Sequence, residues 1–109
     1  MKPAVTLLVL VVLAFLTMEG QEPKIVEGTF KASGKCGSCK SRIEKALRIK
    51  EVKSAKWDQK SQLVSVAYFS PSITLDSLQH CVATVGHDTE KFKAPDEVYN
   101  RLPGCCLYR

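Results

Sequence analysis

Lys35-Cys36-Gly37-Ser38-Cys39-Lys40-Ser41-Arg42-Ile43-Glu44-Lys45-Ala46-Leu47 is the stretch where a strand-like run gives way to a helical pattern. Cys39, Ile43, Ala46 and Leu47 share one stripe at helical spacing, and Lys40, Arg42, Lys45, Arg48 and Lys50 take the other faces. A helix is expected from Ser38 or Cys39 to Lys50. Cys36 and Cys39 then lie on one exposed loop at its N-terminus, where the helix dipole favours thiolate. Thiolate pairs either hold soft metal ions or exchange disulfides.

Before this stretch, Ile25 to Ala32 alternates as a strand, with Ile25, Glu27 and Thr29 against Val26 and Phe30 and with Gly28 weakening it. After it, Glu51-Val52 turns the chain into a second strand, Lys53 to Trp57. Asp58-Gln59-Lys60-Ser61 makes a hairpin turn into a third, Leu63 to Phe69, with Val64, Val66 and Tyr68 aligned. Ser70-Pro71-Ser72 breaks that strand. Thr74 is placed to cap a second helix, Leu75 to Val85, which Gly86 stops. Asp88 to Phe92 suits a short edge strand, and Pro95 to Leu102 another turn or two of helix before Pro103-Gly104-Cys105-Cys106. The order predicts an α+β fold, a ferredoxin-like βαββαβ sandwich with a short helical, cysteine-rich C-terminal tail.

Lys2 followed by the apolar run Ala4 to Leu16 and small Gly20 reads as a secretory signal over residues 1–20, with an uncleaved anchor as the alternative. The run is short for a bilayer, which takes about 20 apolar residues. No cysteine lies near the cleavage point to carry a lipid. Removal of residues 1–20 leaves enough chain for one small domain at the same net charge of +5, since Lys2 and Glu19 cancel. The expected location is periplasmic or secreted. The basic residues are spread over helix and strand faces, so a solvated surface is expected and no nucleic-acid partner. Export means an oxidising compartment, in which five cysteines must be paired, metal-bound or buried.

A Cys-x-x-Cys pair in the first strand-to-helix loop of such a domain resembles the heavy-metal-associated family. That family includes copper chaperones, the N-terminal modules of metal-pumping ATPases and the periplasmic mercury-binding protein. The matching residues are Cys36 and Cys39, the helix Lys40 to Leu47, Val52-Lys53-Ser54-Ala55, Val64-x-Val66-x-Tyr68, and the helix Leu75 to Gly86. On this resemblance residues 21–94 form the heavy-metal-associated domain and 95–109 a tail with a Cys-Cys pair, similar to that of small exported members. Family members usually carry Gly-Met-x-Cys at the first cysteine, where this chain has Ser33-Gly34-Lys35-Cys36, so Gly34 stands at the Met position, and they carry a glycine where it has Glu51. A looser metal loop is expected from the missing Met.

The resemblance implies an exported, non-enzymatic chaperone or scavenger that binds a soft ion, Cu(I) first, through Cys36 and Cys39. Hg(II) suits the same pair, and Zn(II) a four-sulfur set. Lys35 and Lys40 are expected to offset the charge of a bis-thiolate complex. Cys105 and Cys106 add sulfurs if the tail folds back over the loop; otherwise they form disulfides or stay exposed. His87, in a loop that the family places beside the metal, is either a further donor or a surface histidine. His80 is expected partly exposed, Cys81 buried, Trp57 and Tyr68 in the core or on a sheet face, and Tyr108 has no expected role. The partners implied are the metal ion, a metal-transporting membrane protein or another metallochaperone, and a second copy through a shared ion. Two other readings remain open. One is a thiol-disulfide redox protein using Cys36 and Cys39, and the other a disulfide-stapled domain that docks on a transporter.

Overall fold

Residues 22–109 are described by a computed structural model of the chain. The expected signal over residues 1–20 lies outside them. Among the described residues no helix is long and apolar enough to cross a membrane.

Three strands form an antiparallel sheet in the order β1-β3-β2. They are β1 (Lys24–Lys31), β2 (Val52–Trp57) and β3 (Leu63–Ser70), and two ten-residue helices, α1 (Gly37–Ala46) and α2 (Leu75–Thr84), complete the α+β fold. Phe30 pairs with Val64, which also faces Trp57 across β2, so the inward positions of all three strands converge at one end of the sheet. Ile43 and Leu47 from α1 and Leu78 and Val82 from α2 close over them, all essentially without solvent exposure. Each such side chain contributes roughly 1.5–3 kcal/mol of hydrophobic free energy.

The helix ends follow local chemistry. Thr74 caps α2 by accepting the Ser77 N–H at 3.2 Å. Gly86 ends the helix at φ +108°, a conformation that costs glycine nothing, and an added Cβ would also meet the Leu102 side chain at 2.9 Å. Helix α1 stops at Ala46, short of Lys50. The Leu47 and Arg48 N–H groups bond only three residues back, to Glu44 and Lys45, which tightens the last turn and sends Leu47 into the core.

The expected fourth strand, Asp88 to Phe92, is reduced to a single bridge between Thr89 and Ala32. The segment turns on itself instead. Thr89 N–H bonds Phe92 O at 2.8 Å, and the Phe92 N–H returns to Thr89 Oγ1 at 3.1 Å. The Glu90 carboxylate takes the Lys31 N–H at 3.0 Å, a donor that a continued ladder would have used. Past this turn come a short helix α3 (Asp96–Tyr99) and a 3-10 turn (Gly104–Cys106).

Candidate metal centre

Cys36 is the N-cap residue of α1, with extended backbone at φ −143° and ψ 176°. Its thiol lies at the positive end of the helix dipole. Cys39 sits one turn in, on the buried stripe of α1, with no exposure. Their sulfurs are 3.4 Å apart.

The tail folds back over this loop. Cys106 is buried with its sulfur 3.4 Å from that of Cys36, across 70 residues of sequence. Sulfurs of Cys36, Cys39 and Cys106 all lie within 4.8 Å of one another. Cys105 is exposed, with its sulfur 3.2 Å from Cys36 and 3.9 Å from Cys106. All of these thiols are free.

The cation facing the sulfurs is Arg42, whose Nη1 donates to Cys106 Sγ at 3.5 Å. Lys40, expected to compensate the site, is engaged elsewhere. Its Nζ binds Glu44 Oε2 at 2.6 Å and Trp57 O at 3.0 Å. That ammonium is already half of an ion pair.

The thiols are electrostatically unequal. Burial alone would raise Cys36, but its hydrogen bonds with the Cys105 thiol, the Cys39 backbone N–H and the Cys106 and Cys39 thiols pull it down to about 6. Burial pushes Cys39 up to about 12, with Cys106 adding to the rise. The hydrogen bond to Cys36, followed by that to Cys106, raises Cys105 to about 11. Cys36 is therefore by far the most acidic of these three thiols.

The loop is tightly held despite Gly34 standing where the family has Met, and Lys35, the next residue, is fixed at both backbone groups. Its N–H donates to Cys39 Sγ at 3.3 Å, and its carbonyl accepts from Gln59 Nε2 at 2.6 Å. Gln62 Oε1 takes the Gly34 N–H at 3.0 Å. Beneath the loop lies the Trp57 indole, anchored by Nε1 donating to Ala32 O at 2.8 Å. A Cβ at residue 34 would lie 2.9 Å from that ring and 3.0 Å from the Cys39 Cβ, so only glycine allows the close approach. Trp57 occupies the space under the cysteines.

His87 is buried, with no surface exposure, which corrects the surface reading. Desolvation holds its imidazole below the usual range, so it is neutral. Nδ1 lies 2.8 Å from Ser33 O, and because a carbonyl only accepts, the proton is on Nδ1. Nε2 has no hydrogen-bond partner, and His87 stands outside the sulfur cluster. Its ring stacks on Tyr108 at 5.6 Å, so it ties the metal loop to the tail. His80 is exposed, edge-on to Phe92, and Cys81 is half-buried against the core.

What fastens the tail was not anticipated from sequence. Tyr108 donates to Gly86 O at 2.7 Å and accepts the Asp88 N–H at 2.8 Å. The Arg109 guanidinium lies 4.3 Å above the Tyr99 ring and pairs with Asp88 and Asp96. The available signal was two tyrosines and an arginine crowded around a Cys-Cys pair, a composition that a solvated tail has no need of.

With the loop, helices and sheet placed, comparison with solved structures is decisive for the fold. A CopZ metallochaperone superposes with a TM-score of 0.56 at 29% identity, covering 98% of that chain and 59% of this one. The fold is that of a heavy-metal-associated domain. The water-soluble region of the P-type ATPase CopA from Bacillus subtilis matches with a TM-score of 0.56 at 25% identity, over 63% of this chain and 47% of that one. The N-terminal domain of a potential copper-translocating P-type ATPase from the same organism, solved in its Cu(I)-loaded state, gives 0.54 at 25%, over 63% and 85%. No family model and no curated protein matches the sequence. The CopZ match leaves about two-fifths of this chain without a counterpart, more than the undescribed residues account for. The heavy-metal-associated fold is therefore extended here by additional ordered structure.

Proposed function

We propose that this chain is an exported carrier of a soft metal ion, Cu(I) before others, which it takes up and hands on by exchange of cysteine thiolates. The observation that carries the reading is the sulfur triangle of Cys36, Cys39 and Cys106. At ~2.3 Å from each sulfur, a trigonal ion needs sulfurs about 4 Å apart. Cys36 lies 3.4 Å from each of the other two, so closing on an ion takes movements of less than about an ångström. Thiolate donors in low number suit Cu(I) better than hard or octahedral ions. Copper-handling neighbours with the same fold support the choice.

The exchange has a direction. Cys36 is half-buried, whereas Cys39 and Cys106 have no exposure. An acceptor's thiolate reaches the ion from the Cys36 side, and Cys39 lets go last. Each released sulfur regains a proton, readily at Cys39, whose thiol is pushed up to about 12. No bond in a substrate is made or broken, so the chain acts as a carrier and not as an enzyme. Suitable acceptors are the thiolate loop of a metal-transporting membrane protein or of another metallochaperone, and a second copy can share the ion in passing. The apolar run before Glu19 supports export.

The test is anaerobic titration of the reduced chain with Cu(I) against a chromogenic chelator, with Hg(II) and Zn(II) as parallel arms. Cys36→Ser and Cys106→Ser are expected to weaken Cu(I) binding at least roughly 100-fold, above the usual effect of an outer partner. Failure to bind any of the three ions, together with Cys36-dependent reduction of a model disulfide, would replace this reading with the redox one.

A further inference from the structure

Cys36 is a hub. Its sulfur touches those of Cys39, Cys105 and Cys106 at 3.4, 3.2 and 3.4 Å. Cys105 also touches Cys106, at 3.9 Å, and makes no such contact with Cys39. The four sulfurs thus form two triangles on a common edge, Cys36 to Cys106, with Cys39 at one apex and Cys105 at the other. From this geometry we infer that one chain holds two Cu(I) ions, the second in a subsite made by Cys105, Cys36 and Cys106, with Cys36 and Cys106 bridging. The inference rests on reading these thiols as Cu(I) ligands.

The dimensions allow it. The shared edge is 3.4 Å long. Two ions at ~2.3 Å from both of its sulfurs, one on each side, stand about 3 Å apart, which bridging sulfur tolerates. The remaining sulfur of each triangle lies on the outer side of its ion. Charge favours two ions over one for four sulfurs. A fourth thiolate alone would add negative charge to a site in which Arg42 is hydrogen-bonded to Cys106. A second Cu(I) arriving with that thiolate cancels it, so the net charge of the cluster does not grow. The balance is simple: two Cu(I) displace up to four thiol protons, and no electron moves.

The two subsites differ in access. The first triangle has two fully buried corners, and the second has exposed Cys105. The second ion is therefore the later to bind and the first to leave.

The experiment uses the whole reduced chain, Cu(I) as the probe, chelator competition for stoichiometry, and native mass spectrometry to fix the count per monomer. Wild type is expected to saturate at two ions per monomer. Cys105→Ser, at an exposed position outside the core, is expected to stop at one and to keep the first ion's affinity within about tenfold. X-ray absorption of the fully loaded wild type should show copper–copper scattering near 3 Å, absent in Cys105→Ser. Saturation of wild type at one ion, retention of two in Cys105→Ser, or a second ion found only in dimers overturns the second subsite and leaves the first intact. No uptake at all overturns both readings.

Discussion

Arg109 grips Asp88 with two parallel hydrogen bonds, Nη2 to Oδ1 at 2.8 Å and Nε to Oδ2 at 3.2 Å. Asp88 lies next to His87 and accepts the Ser33 N–H through its backbone carbonyl at 2.8 Å. The pair therefore fastens the strap that carries Cys105 and Cys106 to the same backbone that positions the first cysteine loop. A bidentate guanidinium–carboxylate pair fixes orientation as well as distance.

Arg109→Ala removes this pair, the contact with Asp96 and the stacking on Tyr99. The expected loss is about 1–3 kcal/mol of stability, since both partners of the main pair are largely shielded from water. Chemical denaturation of the metal-free protein measures it. An unchanged midpoint would mean that the tail is held by its aromatic rings alone.

Acid should loosen the strap. Burial would raise the Asp88 carboxyl, but Arg109 and the Ala94 N–H outweigh it and hold the group below the usual carboxylate range. Its stabilisation is fully present above the unfolded value of about 3.9 and fades as pH falls through the lower folded value. Denaturation midpoints of wild type should drop below about pH 4, and Asp88→Asn should start lower and vary less across that window. Equal slopes in the two proteins would clear Asp88 of the effect.

Alkylation should strike one cysteine first. With Cys36 pulled down to about 6 and Cys39 and Cys105 raised to about 12 and 11, a limiting dose of iodoacetamide at neutral pH is expected to label Cys36. Peptide mass spectrometry reads the site. Preferential labelling of the exposed Cys105 would show that accessibility, and not thiolate character, governs reactivity.

Gly34→Ala tests the packing under the loop. The new methyl would stand 2.9 Å from the Trp57 ring and 3.0 Å from the Cys39 Cβ, so the loop must shift. A stability loss of about 1–3 kcal/mol is expected, with weaker Cu(I) binding in the chelator assay. Wild-type behaviour in both measurements would mean that the loop has slack that the geometry does not suggest.

Periodicity carried most of the fold. The Cys39–Ile43–Leu47 stripe, the alternation of Val64 and Val66, and Thr74 and Gly86 at the two ends of α2 each act within a few residues, so they can be read in one dimension. The Cys36–Cys39 pair was legible for the same reason, because a spacing of three at a helix start brings both sulfurs together, although Cys39 lies buried within α1 and not on the exposed loop expected for both.

Long-range closure was not legible. Whether Cys106 reaches Cys36 across 70 residues depends on where Tyr108 and Arg109 find their partners, and those partners lie around Asp88 and Tyr99. The loss of the fourth strand likewise turns on Glu90 and Thr89 taking donors that a ladder would have used. Local rules assign each residue a conformation from its neighbours. Which distant side chains complete a site depends on the packing and hydrogen bonding of the assembled chain.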